Sequence, residues 1–237
     1  MRLPPRRYKS ENYGLEVRVT NRSDWSSLNR AETIISVEVS LANEKCTGNH
    51  LRAILDWIGI GWSEIQFSIG DTLHRFNVYA GELRTGNGRS EMEMAEEYTR
   101  NLGNDWMESN AAWIGSLPID TRIIRWDEWR AHPNFLDETK RFRDALSADP
   151  EFAEAVYRDI QQFNERRGTT NSKEHHLAVQ SEYILEELAV YAIQSEEKST
   201  INIYPGSPLG AIKYCENVSG LCALNRHYGY VKLSSLS

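Results

Sequence analysis

Ser40 ends an apolar run, Thr33 to Ser40, in which Ile35, Val37 and Val39 share one face and Ser36, Glu38 and Ser40 the other. A central parallel strand is ordinarily apolar on both faces, so three polar groups on one side predict a face bordering a wet cleft. A hydroxyl at the carboxyl edge of such a strand is placed for nucleophilic attack or for binding. The plainer alternative is a serine satisfying a loop amide. Tyr183 and Glu187 stand four apart in a helical stretch and project from one face. Together a phenol and a carboxylate can grip an ammonium group, and the carboxylate can accept its proton once the amine must turn nucleophilic. Taken alone, the pair equally fits a surface glutamate beside a packed tyrosine. Tyr204 closes another strand, directly before Pro205.

Other chemistries lack their signatures. No Gly-x-Gly-x-x-Gly follows the first strand and no Gly-x-x-x-x-Gly-Lys-Ser/Thr occurs, so dinucleotide and nucleoside-triphosphate binding are unsupported. No Gly-x-Ser-x-Gly elbow surrounds Ser40, which argues against an ordinary α/β-hydrolase. His175 and His176 are adjacent and point about 100° apart on a helix. Cys46, Cys215 and Cys222 have no zinc-type spacing and read as reduced thiols of a cytoplasmic protein. The reading expects no metal and no cofactor. No apolar run approaches the roughly 20 residues that span a bilayer. Arg2, Arg6, Arg7 and Lys9, set around Pro4-Pro5 with no apolar segment after them, are expected to form a basic arm rather than a secretory signal.

The elements that must position these groups alternate. Thr33–Ser40 reads as a strand, Asn49–Ile58 as a helix with Leu51, Ile54, Leu55 and Ile58 on one face, and Glu64–Gly70 as a second strand. Ser90 and Glu93 form a capping box opening a helix to about Asn110. Thr121–Trp126 is a strand, and Asp149-Pro150 starts a helix that buries Phe152, Val156, Ile160 and Phe163. A helix from Ser172 to about Gln194, a strand Thr200–Tyr204, a short helix Leu209–Cys215 and a strand Tyr228–Leu233 complete the chain. Strands separated by helices predict an α/β fold, a Rossmann-like parallel sheet flanked by helices. Its ligands sit beyond the carboxyl ends of the strands.

The 237 residues, 40% hydrophobic and 26% charged, suit one catalytic domain over 31–237 with a polar N-terminal arm over 1–30 packed on it. Against 34 Asp and Glu stand 27 Lys and Arg, a formal charge of −7 that taken alone argues against a nucleic-acid partner. Acidity is concentrated at Glu91, Glu93, Glu96 and Glu97.

In order and spacing these pieces resemble one known family, the tRNA-dependent cyclodipeptide synthases. The resemblance runs from about Thr33 to Leu233. It is carried by Val39-Ser40-Leu41-Ala42-Asn43, by Leu55-Asp56-Trp57 and Asp71-Thr72, by the Tyr-x-x-x-Glu of Tyr183 and Glu187, and by Tyr204-Pro205. The last pair is similar to the family's Tyr-Pro branch, whereas Asn43 matches the Tyr-His branch.

Membership would imply a fold similar to the catalytic domain of class I tyrosyl- and tryptophanyl-tRNA synthetases, with no use of ATP. It implies a ping-pong reaction of two aminoacyl-tRNAs through an acyl-Ser40 intermediate to a 2,5-diketopiperazine. Tyr183 and Glu187 would hold the first α-ammonium and Tyr204 would pass protons. Leu41, Asn43 and Asp71 would border the substrate, with backbone amides of 41–43 steadying an oxyanion. None of these motifs contains a histidine to activate Ser40, so the vicinal ribose hydroxyl is the expected helper. Glu38, two residues before Ser40, is expected to face the first side chain and to select arginine ahead of lysine. The alternative is that it pairs with one of the protein's own arginines. Phosphates would meet the Arg6, Arg7 and Lys9 arm, Arg84 and Arg89, or Lys140, Arg141 and Arg143. No DNA or membrane partner is expected. The rival functions are a non-catalytic tRNA-binding or regulatory module with the same fold and a serine esterase using Ser40.

Overall fold

The alternation in the first apolar run builds the centre of a sheet. In the computed structural model, which describes residues 5–19, 33–62, 64–79, 90–167, 174–197, 199–217 and 229–235, Thr33–Val39 (β3) is buried from Ile35 onward. It is preceded by Arg7–Ser10 (β1) and Leu15–Val19 (β2). Gly48–Gly59 (α1) leads to Glu64–Ile69 (β4), and Arg75–Tyr79 (α2) and Glu91–Ile114 (α3) lead to Asp120–Arg125 (β5). Four helices follow: Trp126–Arg130 (α4), Phe135–Ala148 (α5), Pro150–Arg167 (α6) and Glu174–Glu197 (α7). Ser199–Tyr204 (β6), Gly210–Asn217 (α8) and Gly229–Ser235 (β7) end the described chain.

The seven strands form one sheet in the order β1-β2-β7-β6-β3-β4-β5. β7, β6, β3, β4 and β5 run parallel, while β2 joins β7 and β1 joins β2 antiparallel. The sheet is therefore mixed, a parallel core extended by a hairpin. Successive strands step from β3 to β4 to β5 on one side, and the chain then returns to lay β6 against the other side of β3. That reversal opens a crevice beyond the carboxyl ends of β3 and β6, the place where open α/β sheets bind ligands.

Two apolar clusters hold the strands. One packs α1 and Trp106 against the sheet and includes Leu15, Val17, Val231 and Leu233 from the added strands. The other surrounds α7, where Ile184, Leu185 and the whole run Leu188–Ile193 are buried among Phe142, Phe152 and Trp126. A helical run buried on all sides, as 188–193 is, belongs in a protein interior, and α7 crosses it beneath the crevice.

Several local readings hold. α1 buries Leu51, Ile54, Leu55 and Ile58, the face its spacing predicts. Ser90 Oγ accepts from Glu93 N–H and Glu93 Oε2 from Ser90 N–H, both at 3.2 Å, closing the capping box. Asp149 Oδ1 accepts from the N–H groups of Glu151 and Phe152 ahead of the α6 core face. α3 runs one turn past Asn110, to Ile114. Ser172 and Tyr228 lie outside the described residues.

The described part of the N-terminal segment, residues 5–19, packs on the core as a β-hairpin. Leu15 and Val17 face the core, Gly14 turns the chain at φ +63°, and Glu16, between them, lies under the guanidiniums of Arg7 and Arg18. Charges alternating with Leu and Val hide a strand whose polar groups neutralise one another. Trp57 Nε1 donates to Pro5 O at 2.7 Å and Ser10 Oγ to Asp56 Oδ2 at 3.2 Å, which fixes the hairpin to α1.

Candidate active site

The crevice is a cleft of about 640 Å³ lined by residues from six segments, among them Glu38, Ser40, Asn43, His74, Tyr183, Glu187 and Tyr204. Each arrives for a local reason. Ser40 is the first residue past β3. Tyr204 is the last of β6, and Tyr183 and Glu187 share one face of α7. Gly206 lets the chain fold against Tyr204, since a Cβ at that position would strike the ring.

Only the end of the polar face of β3 reaches the cleft. Ser36 is fully buried and donates to Glu38 Oε1 at 2.9 Å, and Gln66 Nε2 approaches its hydroxyl from β4. Glu38 is buried with its carboxylate lining the cleft. Beyond it the chain turns tightly. Asn43 N–H donates to Ser40 O at 3.1 Å, and Ser40 N–H to Cys46 Sγ at 3.4 Å. Burial pushes the Cys46 thiol up to about 12, so it stays protonated behind the turn.

Around Ser40 the polar groups converge. Its Oγ lies 3.0 Å from His74 Nε2. The Tyr204 hydroxyl meets the side chains of Ser40 and Asn43, and burial raises it to about 12, which keeps it a neutral phenol. Asn43 Nδ2 donates to Pro205 O at 3.3 Å. Burial likewise raises Tyr183 well above the usual phenol range, and its ring lies 5.5 Å from that of His74. Glu187 is pushed up to about 8, first by burial and then by the negative charges of Glu38 and Asp159, against a lowering hydrogen bond from Tyr191 Oη at 2.9 Å. Asp159 caps α8 by accepting from Gly210 and Ala211 N–H. Glu38 and Asp159 thus each bring negative charge to bear on the Glu187 carboxyl.

His74 is absent from the motifs that carry the sequence reading. It sits at the end of a single 3-10 turn, Thr72–His74, that follows β4. Because β4 is parallel to β3 and Val39 faces Ile69, the turn brings the imidazole beside Ser40. The available signal was its position, since any residue just beyond a strand's carboxyl end on this side is a candidate.

Asp71 departs from its expected place at the substrate. It is fully buried, its Oδ2 accepts from Arg125 Nε at 2.7 Å and its Oδ1 from Trp126 N–H at 3.3 Å. Gly103 makes room for this pair. Leu41 packs on the sheet-side core. The cations of α5 are each engaged: Lys140 with Asp144, Arg141 with Glu138, and Arg143 with both oxygens of Glu182. Arg84 and Arg89 lie outside the described residues. Lys45 and Arg166 instead line the cleft.

Among the described residues, no three His, Cys, Asp or Glu side chains are grouped to hold a metal, and no helix is long and apolar enough to cross a membrane.

The fold is that of solved cyclodipeptide synthases, one of which is described as showing that these enzymes are related to type I tRNA synthetases. A cyclodipeptide synthase from Fluoribacter dumoffii superposes with a TM-score of 0.79 at 17% identity, over 93% of this chain and 97% of that one. A cyclodipeptide synthetase of Mycobacterium tuberculosis matches at 0.69 and 14% identity, over 100% and 99%. The synthase from Candidatus Glomeribacter gigasporarum, solved bound to Phe-tRNAPhe, matches at 0.64 and 20% identity, over 90% and 92%. No family model and no curated protein matches by sequence.

Proposed function

We propose that the protein is a cyclodipeptide synthase, an ATP-independent aminoacyltransferase that joins two aminoacyl-tRNAs into a diketopiperazine. The observation that carries this reading is the meeting of Ser40, Tyr183, Glu187 and Tyr204, from three separate segments, in one cleft of this fold. An aminoacyl-tRNA ester is already activated, so Ser40 can take the first aminoacyl group and divide the reaction into two acyl transfers. The free amine of aminoacyl-Ser40 attacks the ester carbonyl of the second aminoacyl-tRNA, whose ribose oxygen leaves, and the amine of the resulting dipeptidyl-Ser40 then attacks the Ser40 ester, closing the ring and freeing the hydroxyl. Asn43 N–H is spent on Ser40 O and Ser40 N–H on Cys46, so Leu41 and Ala42 supply the oxyanion N–H donors. Glu187 and Tyr183 bind the α-ammonium, and Tyr204, a neutral phenol, donates a proton to the departing ribose oxygen.

Arginine is the first amino acid in this reading. Its ammonium and guanidinium bring two positive charges to a cleft in which Glu187, Glu38 and Asp159 lie together. Tyr204-Pro205 favours the Tyr-Pro branch over the Tyr-His branch, and Asn43 supports that turn by donating to Pro205 O. The tRNA approaches past Lys45 and Arg166, with the paired cations of α5 adding salt-dependent contacts.

The test is mass spectrometry of medium from a heterologous host expressing the chain. An arginine-containing cyclodipeptide that vanishes with Ser40→Ala, in a protein that still folds, supports the reading. Product persisting in Ser40→Ala sinks it, and arginine incorporation unchanged in Glu38→Ala removes the specificity claim. A folded protein that binds aminoacyl-tRNA without product is a binding module, and hydrolysis of simple esters without tRNA marks an esterase.

A further inference from the structure

A serine hydroxyl is a weak nucleophile until a base takes its proton, and most titratable groups around Ser40 are unsuited to that task. Tyr204 and Tyr183 are neutral phenols and Cys46 a neutral thiol. Glu38 accepts from Ser36, Asp159 caps α8, and Glu187 lies farther along α7 against Tyr191. Arg75, next in sequence to His74, turns its guanidinium to Glu186. His74 among them places an acid-base nitrogen, Nε2, 3.0 Å from Ser40 Oγ.

The second ring nitrogen decides what that contact does. Asn77 stands one turn on in α2, buried, with Nδ2 at 3.4 Å from His74 Nδ1. In that orientation the amide N–H points at Nδ1, the imidazole proton resides on Nε2, and Ser40 Oγ receives a hydrogen bond. A half-turn of the amide exchanges two ends of nearly equal size. It presents Oδ1 to an Nδ1–H and leaves the Nε2 lone pair facing the serine hydroxyl.

We propose that His74 is the general base for Ser40 and that Asn77, through the orientation of its amide, sets the tautomer that makes it one. The inference rests on the acyl-transfer reading of the site and adds to it a proton path supplied by the protein. As Oγ bonds to the ester carbonyl carbon, its proton passes to Nε2. When the tetrahedral centre collapses, the bond from that carbon to the ribose oxygen breaks and Nε2–H protonates that oxygen, directly or through the Tyr204 hydroxyl. The aminoacyl group has moved between two hydroxyls and no co-reactant is consumed. His74 is a catalytic residue in this scheme and Asn77 a positioning residue.

The test uses a fluorophosphonate probe, which reports the nucleophilicity of Ser40 without tRNA or amino acid. The full chain is labelled from pH 5 to 9 and the adduct mapped by mass spectrometry. Expected is labelling at Ser40 whose rate rises through one inflection in the histidine range. It should fall at least about 100-fold in His74→Gln, a change that keeps a hydrogen-bonding side chain without a base. Asn77→Asp, which only accepts from Nδ1 and adds a negative charge, should move the inflection to higher pH. Asn77→Leu should slow labelling. Circular dichroism confirms that each variant is folded. An unlabelled Ser40, wild-type labelling in folded His74→Gln, or a pH profile unmoved by Asn77→Asp overturns the proposal. Labelling as expected from a chain that makes no cyclodipeptide upholds the base and refutes the functional reading instead.

Discussion

Arg75 and Glu186 form a buried ion pair that ties the segment bearing His74 to the turn of α7 bearing Glu187. Arg75 donates to Glu186 Oε1 at 2.5 Å and to Thr72 O at 2.7 Å, while Glu186 Oε2 accepts from Trp126 Nε1 at 3.1 Å. Each partner of the pair is next in sequence to a group of the cleft, so one interaction sets the spacing of two.

Breaking that pair from one side leaves a buried charge. Glu186→Leu is expected to lower stability by about 3–5 kcal/mol, and Arg75→Met with Glu186→Leu to recover much of the loss. Urea denaturation midpoints of the three proteins test this. A double variant no more stable than Glu186→Leu would show that the pair contributes more than mutual neutralisation.

Glu187 makes the empty protein less stable as pH rises. Its carboxyl titrates near 8 when folded and near the ordinary 4.5 when unfolded. The folded state therefore holds a proton that the unfolded state has released between those values, and stability falls across that window. Glu187→Gln is expected to raise Tm relative to the parent, and its gain in stability, on the order of a few kcal/mol, opens from pH 5 to 8 and then levels. The same variant should make no product. A Tm gap independent of pH would contradict the assignment.

Gly206 is needed for the resting place of Tyr204, whose ring occupies the space a methyl group would require. Gly206→Ala is expected to displace the phenol from Ser40 and to lower product formation by roughly 100-fold in a folded protein. Product yield with a crystal structure of the variant checks both halves, and full activity with an unmoved ring would refute them.

Glu16 is held down to about 2 by hydrogen bonds from Arg18 and Arg7. A depressed carboxylate contributes stability that is complete above its ordinary 4.5 and is lost as pH falls toward 2. Glu16→Gln should speed amide exchange across Leu15–Val19 at pH 7. The difference from the parent should shrink on acidification through that window, and a difference that persists at pH 2 would argue against the charge as its cause.

Legibility in the sequence followed the range of the interactions involved. Ser40, Tyr183, Glu187 and Tyr204 could be placed because two-residue and four-residue periods are local, and strand ends on one side of a parallel sheet face the same cleft. His74 was invisible because only the register of β4 against β3 brings it to Ser40. Asp71 follows the same strand, yet Arg125 of β5 turns it away. On α5, Phe135, Thr139 and Phe142 carry a helical period that was there to be read. The cations beside them find carboxylates at i+4 and i−3, local pairs that the helical period also predicts, and on α7, where the Arg143–Glu182 pair is visible only once two helices are packed.

The sheet order also dictates when the molecule can become whole. β7 lies between the N-terminal hairpin and β6, with Leu15 opposite Ser235 and Tyr204 opposite Tyr230. During synthesis the hairpin emerges first but has no edge to join until β7 leaves the ribosome. Until then the edge of β2 that β7 will cover has no strand partner. The alternating Glu16 and Arg18 then have a second use, keeping that waiting strand from pairing with another copy.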